Sequence, residues 1–291
     1  MSVPVNVSID GAPPQLDKLS PAAQALRQQL DGQVAEILAR YPDGPRSGLL
    51  PLLHLVQSVD GYVTPAGVEY CAAALGIHKA QVAAVATFYT MYKRKPTGEY
   101  LVSVCTNTMC NVLGGQEVYD TLTELLGVGH DETTADGRIT LEHAECLAAC
   151  DYGPVMTVNY DFFDEVTPDG AVDVVNRLRG GERPQPSRGA RLCSLKEMAV
   201  QLAGFADDRD GAVADLGAGA ATLRGNRLAE QHGISVPGFD PNTPIPTGDG
   251  RNARPTAVPA ANKPASDRKP AGDAPQPQDK LLSDAKGETR D

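Results

Sequence analysis

The 291-residue chain has no tryptophan, and aromatic residues make up only 5% of it. That is sparse for a chain of this length if all of it packed into a core, so part of the chain is predicted to be non-globular. Positive charge is also scarce, because 26 Lys and Arg stand against 37 Asp and Glu, a net charge of −11. This balance argues against nucleic acid or anionic lipid as a partner.

Long apolar runs are missing as well. No stretch approaches the roughly 20 residues that a membrane-spanning helix needs. Residues 1–10 lack the basic and apolar regions of a signal peptide. We therefore expect a cytoplasmic protein without direct membrane insertion. Thiols stay reduced in that compartment, so the six cysteines are expected to be ligands or free thiols and not disulfides.

The first third of the chain has helical periodicity. Residues 1–15 are expected to be a flexible arm, and residues 16–95 a helical domain with short loops. Ser20 and Thr64 each precede a proline and predict capped helix starts. Ser47 is a candidate cap for the helix between them.

Three further features of this helical domain can be predicted from the sequence. A fourth helix is predicted to carry Val82, Val85 and Phe88. His54 lies among leucines and is expected to be a hydrogen-bonded core residue. Cys71 is expected to be a small buried hydrophobe.

The pattern then changes to strands alternating with helices over residues 96–186, which predicts a small α/β domain. Short β-type runs cover residues 100–104, 138–141 and 154–159. Amphipathic helices are predicted after the first of these runs and, from Thr167, after the last.

The remaining residues, 187–291, are predicted to be a mostly disordered extension. Within it, residues 192–205 have the spacing of one more helix. Residues 236–291 are rich in proline and contain a single aromatic residue, so they are predicted to bury too little apolar surface to fold.

The most informative feature is two close pairs of cysteines, Cys105-x4-Cys110 and Cys146-x3-Cys150, separated by 35 residues. Four thiolates at one centre would hold a [2Fe–2S] cluster, a [4Fe–4S] cluster or a structural zinc ion. Zinc sites prefer x2 spacing within each pair, and [4Fe–4S] ferredoxins use x2-x2-x3 runs. The spacing therefore favours an iron–sulfur cluster but leaves zinc open. Cys193 lies outside both pairs and is expected to be a free thiol.

The surroundings of the second pair are acidic. Glu142, Glu145 and Asp151 flank it. Negative charge disfavours adding an electron to an anionic cluster, so we infer a low reduction potential. His143 is the only histidine close to either pair, whereas a Rieske centre needs two, so it is expected to be a bystander.

The chain has no glycine-rich loop of the kinds that cradle nucleotide phosphates. The electron donor to the centre is therefore expected to be a cofactor on another chain.

Motifs from both domains together resemble one family, the small [2Fe–2S] subunit of the NADH-dehydrogenase module of respiratory complex I, which is the E-type subunit of the bacterial NADH–quinone oxidoreductases. The resemblance covers residues 18–182 and is carried by Tyr41-Pro42, Leu50-Pro51-Leu52-Leu53-His54, Gln57, Thr87-Phe88-Tyr89-Thr90-Met91-Tyr92, Cys105-Thr106, Cys110, Gly114, Glu145-Cys146-Leu147, Ala149-Cys150, Pro154 and Val158-Asn159.

The resemblance implies a helical domain followed by a thioredoxin-like ferredoxin domain. It implies one [2Fe–2S] cluster with Cys105, Cys110, Cys146 and Cys150 as ligands. It also implies an electron-transfer role within an enzyme whose partner subunit binds FMN and NADH. Further iron–sulfur subunits and a place in a peripheral arm on the cytoplasmic side follow from the same resemblance. The chain departs from the family at Ala148, where glycine is frequent.

Two alternatives to a complex I subunit remain open at this point. The equivalent subunit of an NAD-linked hydrogenase or formate dehydrogenase would have almost the same motifs. A zinc-stabilised scaffold without redox activity would have the same four cysteines, but it would be colourless.

Overall fold

The computed structural model of the protein describes residues 13–207, 209–210 and 219–234. Most of the predicted flexible arm and the whole predicted tail, residues 236–291, lie outside these ranges. The helices are α1 Pro21–Ala39, α2 Leu49–Asp60, α3 Pro65–Leu75, α4 Lys79–Phe88, α5 Thr108–Val112, α6 Gly115–Leu126, α7 Pro168–Arg179, α8 Leu195–Leu202 and α9 Arg224–Gln231.

The starts of α1 and α3 are set by the residues that the sequence indicated. The Ser20 hydroxyl accepts a hydrogen bond from the Ala23 amide, and Thr64 does the same for Gly67. The following prolines need no amide partner in the first helical turn. The start predicted at Ser47 is wrong, because a short 3₁₀ turn, Pro45–Gly48, comes first and α2 begins after Gly48 without a side-chain cap.

Helices α1 to α4 enclose an apolar core of leucine, valine and alanine. Cys71 is buried in it, as predicted. The predicted fourth helix is confirmed as α4, which contains Val82, Val85 and Phe88. The Phe88 side chain is 78% exposed, because α4 ends there and the chain turns away. His54 is buried beside the Tyr92 ring, but its Nδ1 atom has no hydrogen-bond partner among the described residues. Burial lowers the pKa of His54 to about 4, so this side chain is neutral at pH 7.

The α/β domain is built on a five-stranded sheet in the order β2-β3-β1-β4-β5. The three predicted runs become β1 Tyr100–Cys105, β3 Ile139–Ala144 and β4 Met156–Val158. No separate signal in the sequence predicted β2 Glu132–Thr133 and β5 Asp161–Phe163, which are only two and three residues long. Strands β1 and β3 are parallel, and the other three pairings are antiparallel.

One face of the sheet packs against α6 and α7. Residues on alternate positions of β1, β3 and β4 form this core together with apolar residues of the two helices. The alternating apolar residues of the strands and the apolar residues spaced for a helix on α6 and α7 therefore pack into a single apolar layer. The predicted order of a helical domain followed by an α/β domain is confirmed.

Residues 187–205, here called the bridging segment, connect the two domains. The Ser187 amide donates to the Phe162 carbonyl on β5, and the Leu195 amide donates to Glu99 at the start of β1. The Lys196 ammonium then donates to the Val59 carbonyl of α2. The predicted helix within residues 192–205 is confirmed as α8, which begins at a capping box.

None of the helices in the described ranges is by itself long and apolar enough to cross a membrane. Within the described ranges, α3 and α4 together would have the length and apolar composition of a membrane-spanning segment, but they are bent by 120° relative to one another.

A buried ion pair also joins the domains. The Lys93 ammonium lies 2.5 Å from a Glu142 carboxylate oxygen, and the two side chains are 8% and 15% exposed. The other Glu142 oxygen accepts a hydrogen bond from Ser103 on β1. Breaking one side of such a pair leaves a buried charge without its partner.

We expect Lys93→Met to lower the free energy of unfolding by about 3 kcal/mol, since the buried Glu142 side chain would lose its ionic partner. The double variant Lys93→Met with Glu142→Gln should recover most of that loss. Chemical denaturation of the three proteins provides the measurement. A loss below about 1 kcal/mol in the single variant would show that water reaches Glu142 and replaces the ammonium.

Candidate functional site

The topology of the sheet brings the two cysteine loops together. Strands β1 and β3 are parallel and in register from Tyr100 opposite Ile139 to Cys105 opposite Ala144. The carboxyl ends of parallel neighbours lie at the same edge of a sheet, so the loop after Cys105 faces the loop that begins after Ala144. Cys146 follows only two residues later.

The first loop folds back on itself through α5. This helix returns Cys110 to Cys105, and both side chains are 1% exposed. Gly115 makes the return possible. A Cβ atom at this position would lie 2.5 Å from the Cys105 carbonyl oxygen and 2.8 Å from the Cys110 carbonyl oxygen. Only glycine permits this backbone contact.

The second loop presents its cysteines to solvent. Cys146 and Cys150 are exposed, and their sulfur atoms are 3.4 Å apart. Ala148 between them has a φ of +59°, in the left-handed region that favours glycine. Glycine at this position would therefore avoid the steric cost that a Cβ atom has in the left-handed region.

The four thiols lie close enough to affect one another. Burial raises the pKa of Cys110 to about 11, and contact with the Cys105 thiol adds to the effect. The hydrogen bond with Cys146 raises the pKa of Cys150, and Cys105 contributes as well. Cys110 is therefore protonated at pH 7 without a metal, and a metal or cluster must displace its proton on binding.

The donor set fits an iron–sulfur cluster. Two pairs of thiols on two facing loops can supply two sulfurs to each iron of a [2Fe–2S] centre. Apolar residues surround the buried pair, which restricts water access on that side. Within residues 13–207, 209–210 and 219–234, no three His, Cys, Asp or Glu side chains are grouped closely enough to hold a single metal ion.

The three carboxylates near the second loop differ in their surroundings. The Lys93 ammonium compensates Glu142. Glu145 accepts a hydrogen bond of 2.7 Å from the Asn107 side chain and so ties the second loop to the first. Asp151 accepts one from Thr222. The paired Glu142 weakens the argument for a low potential, which rests mainly on the other two carboxylates and stays a prediction.

His143 points toward a different group of side chains. Its ring centroid lies 4.0 Å from that of His130, with the two planes tilted by 34°, and it meets the Tyr119 ring edge-on at 5.8 Å. The expectation that His143 is a bystander stays a prediction. Cys71 is in the core of the helical domain, and Cys193 is buried in the bridging segment beside Gln201.

Ala148→Gly is expected to stabilise the protein by about 1 kcal/mol, because it removes the steric cost of a Cβ in a left-handed conformation. The offsetting cost is the greater flexibility of glycine in the unfolded chain. The measurement is a denaturation midpoint of the cluster-free protein. Gly76→Ala, at a φ of +62° with open space around it, is the matched reverse change and should destabilise. Equal stability of Ala148→Gly and the unsubstituted chain would contradict the strained conformation.

Several residues around the site had no signal in the sequence. Met109, Val112 and Leu113 of the α5 region are 51%, 77% and 49% exposed beside the first loop. The sequence of a short exposed helix such as α5 does not differ from that of an ordinary surface turn. Only its position beside the cysteine loop distinguishes it. Asn107 gave no sign that it would bind Glu145 across the loops, because that contact depends on the strand register.

The bridging segment also reaches the second loop. Arg188 lies over the rings of Tyr152 and Phe162. The sequence could not have indicated this contact, since a lone arginine in a loop has no periodic pattern.

A family model of thioredoxin-like [2Fe–2S] ferredoxins matches residues 34–179 of the chain. This range contains both cysteine pairs and the last three helices of the helical domain. It ends at the last residue of α7, before the bridging segment.

Similar curated proteins are NADH–quinone oxidoreductase subunits. The E-type subunit of Mycobacterium bovis is 51% identical over 229 residues, which are 79% of this chain and 88% of that protein. Subunit 2 of Thermus thermophilus is 37% identical over 150 residues, 51% of this chain and 83% of that protein. Among solved structures, an NAD⁺-reducing [NiFe]-hydrogenase has a TM-score of 0.42 at 18% identity, covering 46% of this chain and 23% of that one.

Proposed function

The chain belongs to the thioredoxin-like [2Fe–2S] ferredoxins and, within them, to the E-type subunits of NADH–quinone oxidoreductases, and from this premise we propose which residues carry its function. Cys105, Cys110, Cys146 and Cys150 are the ligands of its cluster. The cluster receives electrons from the FMN of a neighbouring subunit that oxidises NADH. The support for the ligands is the parallel β1–β3 pairing, which sets the two cysteine loops against each other.

The protein is an electron-transfer subunit of an oxidoreductase and carries one [2Fe–2S] cluster. When bound, the cluster accepts and returns one electron at a time. The chain contributes the four sulfurs, the apolar wall behind Cys105 and Cys110, and the Asn107–Glu145 contact that holds the loops in register.

The ligand assignment and cofactor are tested by iron and acid-labile sulfide analysis of the full chain, where about two of each per chain are expected. An electron paramagnetic resonance signal should appear on reduction only, because the oxidised irons couple to a diamagnetic pair. Stoichiometric zinc without sulfide would identify the zinc scaffold instead.

The surface around the cysteines supports docking of the flavin-bearing subunit. Cys146 and Cys150 are exposed, and on the first loop the apolar side chains of Met109, Val112 and Leu113 are about half exposed or more. Exposed apolar side chains beside a redox centre provide the anchors that a protein interface buries. A partner seated there would cover the exposed sulfurs and bring its flavin within a short distance.

Val112→Asp should weaken binding to the flavin-bearing subunit by at least about tenfold while leaving iron content unchanged. The matched control is Leu50→Asp on α2, an apolar residue 41% exposed in the helical domain. Binding is measured by titration of the labelled partner, and NADH-driven bleaching of the cluster gives a second readout. Equal affinities of Val112→Asp and the unsubstituted chain would show that the docking surface does not include Val112.

We further propose that the chain consists of an arm (residues 1–15), a helical domain (16–95), an α/β domain (96–186) and an extension (187–291). We also propose that it lies in the peripheral arm of the complex, on the cytoplasmic side, next to other iron–sulfur subunits. The order of the helical core, the sheet and the bridging segment supports the division. Kinship with quinone-reducing complexes, and not with the hydrogenase alternative, is supported by the 51% identity over most of the chain.

A further inference from the structure

Arg188, in the bridging segment, makes an unusual set of contacts. The carbon at the centre of its guanidinium lies 4.2 Å from the centroid of the Phe162 ring and 5.4 Å from that of Tyr152. Its Nη2 atom donates to the Asp164 carboxylate at 2.7 Å. A guanidinium held over two rings and bonded to a carboxylate is restricted in both position and orientation.

The two rings beneath Arg188 belong to the wall of the cluster site. Tyr152 and Phe162 pack against the apolar group formed by Cys105, Cys110, Ala149 and Val155. Tyr152 lies two residues after Cys150 in the same 3₁₀ turn, and its amide donates to the Ala149 carbonyl. A displacement of Tyr152 would therefore move the turn that carries Cys150.

Backbone contacts lock the same group of residues. The Ser187 amide donates to the Phe162 carbonyl, and the Ser187 hydroxyl accepts from the Asp164 amide. The Glu165 amide donates to the Tyr152 carbonyl at 2.9 Å. Arg188 is thus held over Tyr152 by the bridging segment and by the β5 end at once.

The Tyr152 hydroxyl is contacted by residues 219–222, which follow the bridging segment in the chain. Thr222 Oγ1 lies 3.3 Å from the Tyr152 hydroxyl and also donates to Asp151. A Cβ atom at Gly219 would overlap the same hydroxyl. Tyr152 is therefore enclosed by the guanidinium of Arg188 and by residues 219–222.

We propose that Arg188 is a positioning residue for the cluster: it stacks on Tyr152 and Phe162 and so fixes the turn that presents Cys150. Through its charge, paired with Asp164, it also acts on the reduction potential of the centre. This inference rests on the proposed assignment of Cys146 and Cys150 as ligands. It gives the bridging segment, which lies beyond the family match to residues 34–179, a part in the redox site.

The relatives are compatible with this role in one respect. An aligned stretch of 229 residues within a chain of 291 necessarily contains position 188, so the M. bovis protein spans the region of the bridging segment.

The test compares four full-length, cluster-loaded proteins: unsubstituted, Arg188→Ala, Arg188→Lys and Arg177→Ala. Arg177 is the matched control, because its side chain is 43% exposed, as Arg188 is 42% exposed, and it pairs with Glu182 and Asp173. We expect iron to leave Arg188→Ala about tenfold faster in the presence of a chelator, since two ring contacts and a charged hydrogen bond are lost.

The reduction potential distinguishes an effect of the Arg188 charge on the cluster from a loss of side-chain packing alone. Removing the cation in Arg188→Ala should shift the midpoint potential to more negative values. Asp164→Asn, which removes the opposing anion, should shift it to more positive values. Arg188→Lys keeps the charge but not the planar stack, so it should restore the potential and still lose iron faster than the unsubstituted protein.

Two results would overturn the inference. One is an Arg188→Ala protein whose iron loss and potential equal those of Arg177→Ala. The other is full rescue of iron retention by lysine, which would exclude a role for the planar stack. Cys146→Ala, measured in parallel, keeps the two proposals apart: its retention of iron would refute the ligand assignment, whatever Arg188 does.

Discussion

Cys110→Ala and Cys146→Ala are each expected to lose the cluster, with iron content falling from about two per chain to near zero. Each variant removes one sulfur from a different loop, so one iron would lack a ligand in either case. The buried Cys110 and the exposed Cys146 should fail alike, because a ligand is required regardless of its exposure. Visible absorption and iron analysis of the purified full chain provide the measurement.

The matched controls are Cys71→Ala and Cys193→Ala. Both thiols are buried, but one lies in the helical core and the other in the bridging segment. Each change removes a sulfur atom from a packed site and should cost about 1 kcal/mol of stability, while the cluster stays in place. Loss of visible absorption in either control would mean that the four-ligand set is wrong.

Gly115→Ala should be as damaging as the loss of a ligand, although glycine contributes no atom to the cluster. The added Cβ would lie 2.5 and 2.8 Å from two carbonyl oxygens of the first cysteine loop, and backbone cannot rotate away as a side chain can. We expect a loss of about 3 kcal/mol in the free energy of unfolding, together with loss of iron. Both follow from a displacement of α6 away from Cys105 and Cys110.

Gly32→Ala on α1 is the control for this change. Nothing lies within 4 Å of a Cβ at Gly32, and the position is in the middle of a helix. Alanine there should stabilise the protein by roughly 0.5–1 kcal/mol. If Gly115→Ala and Gly32→Ala had similar stabilities and iron contents, the close approach of α6 to the cysteine loop would be disproved.

The elements predicted well from the sequence are those specified by neighbouring residues. Ser20 and Thr64 cap their helices through side chains three residues from the amides that they bind. The cysteine pairs were evident because their spacing is itself local. The Ser47 start failed because Pro45 and Gly48 form a 3₁₀ turn of their own, a competition between two local signals.

The features that the sequence missed depend on distant contacts. Phe88 has the correct helical spacing for the core, but the helix ends at that residue. The ion pair of Lys93 with Glu142 spans 49 positions in the chain, and the stack of Arg188 on Tyr152 spans 36. Their partners are set by the order of the strands, which periodicity does not encode.

The position of the bridging segment in the chain has a consequence for how the protein is made. All four cysteines of the site leave the ribosome before residues 187–205, and domains fold from the amino terminus during synthesis. A nascent chain therefore passes through a state in which the sulfurs are present while the cation of Arg188 has not yet reached Tyr152. During this interval the proposed contacts of Arg188 with Tyr152 and Phe162 do not yet restrain the turn of Cys150. The contacts that join α2 to the sheet, from Lys196 to Val59 and from Leu195 to Glu99, likewise form only after the bridging segment has emerged.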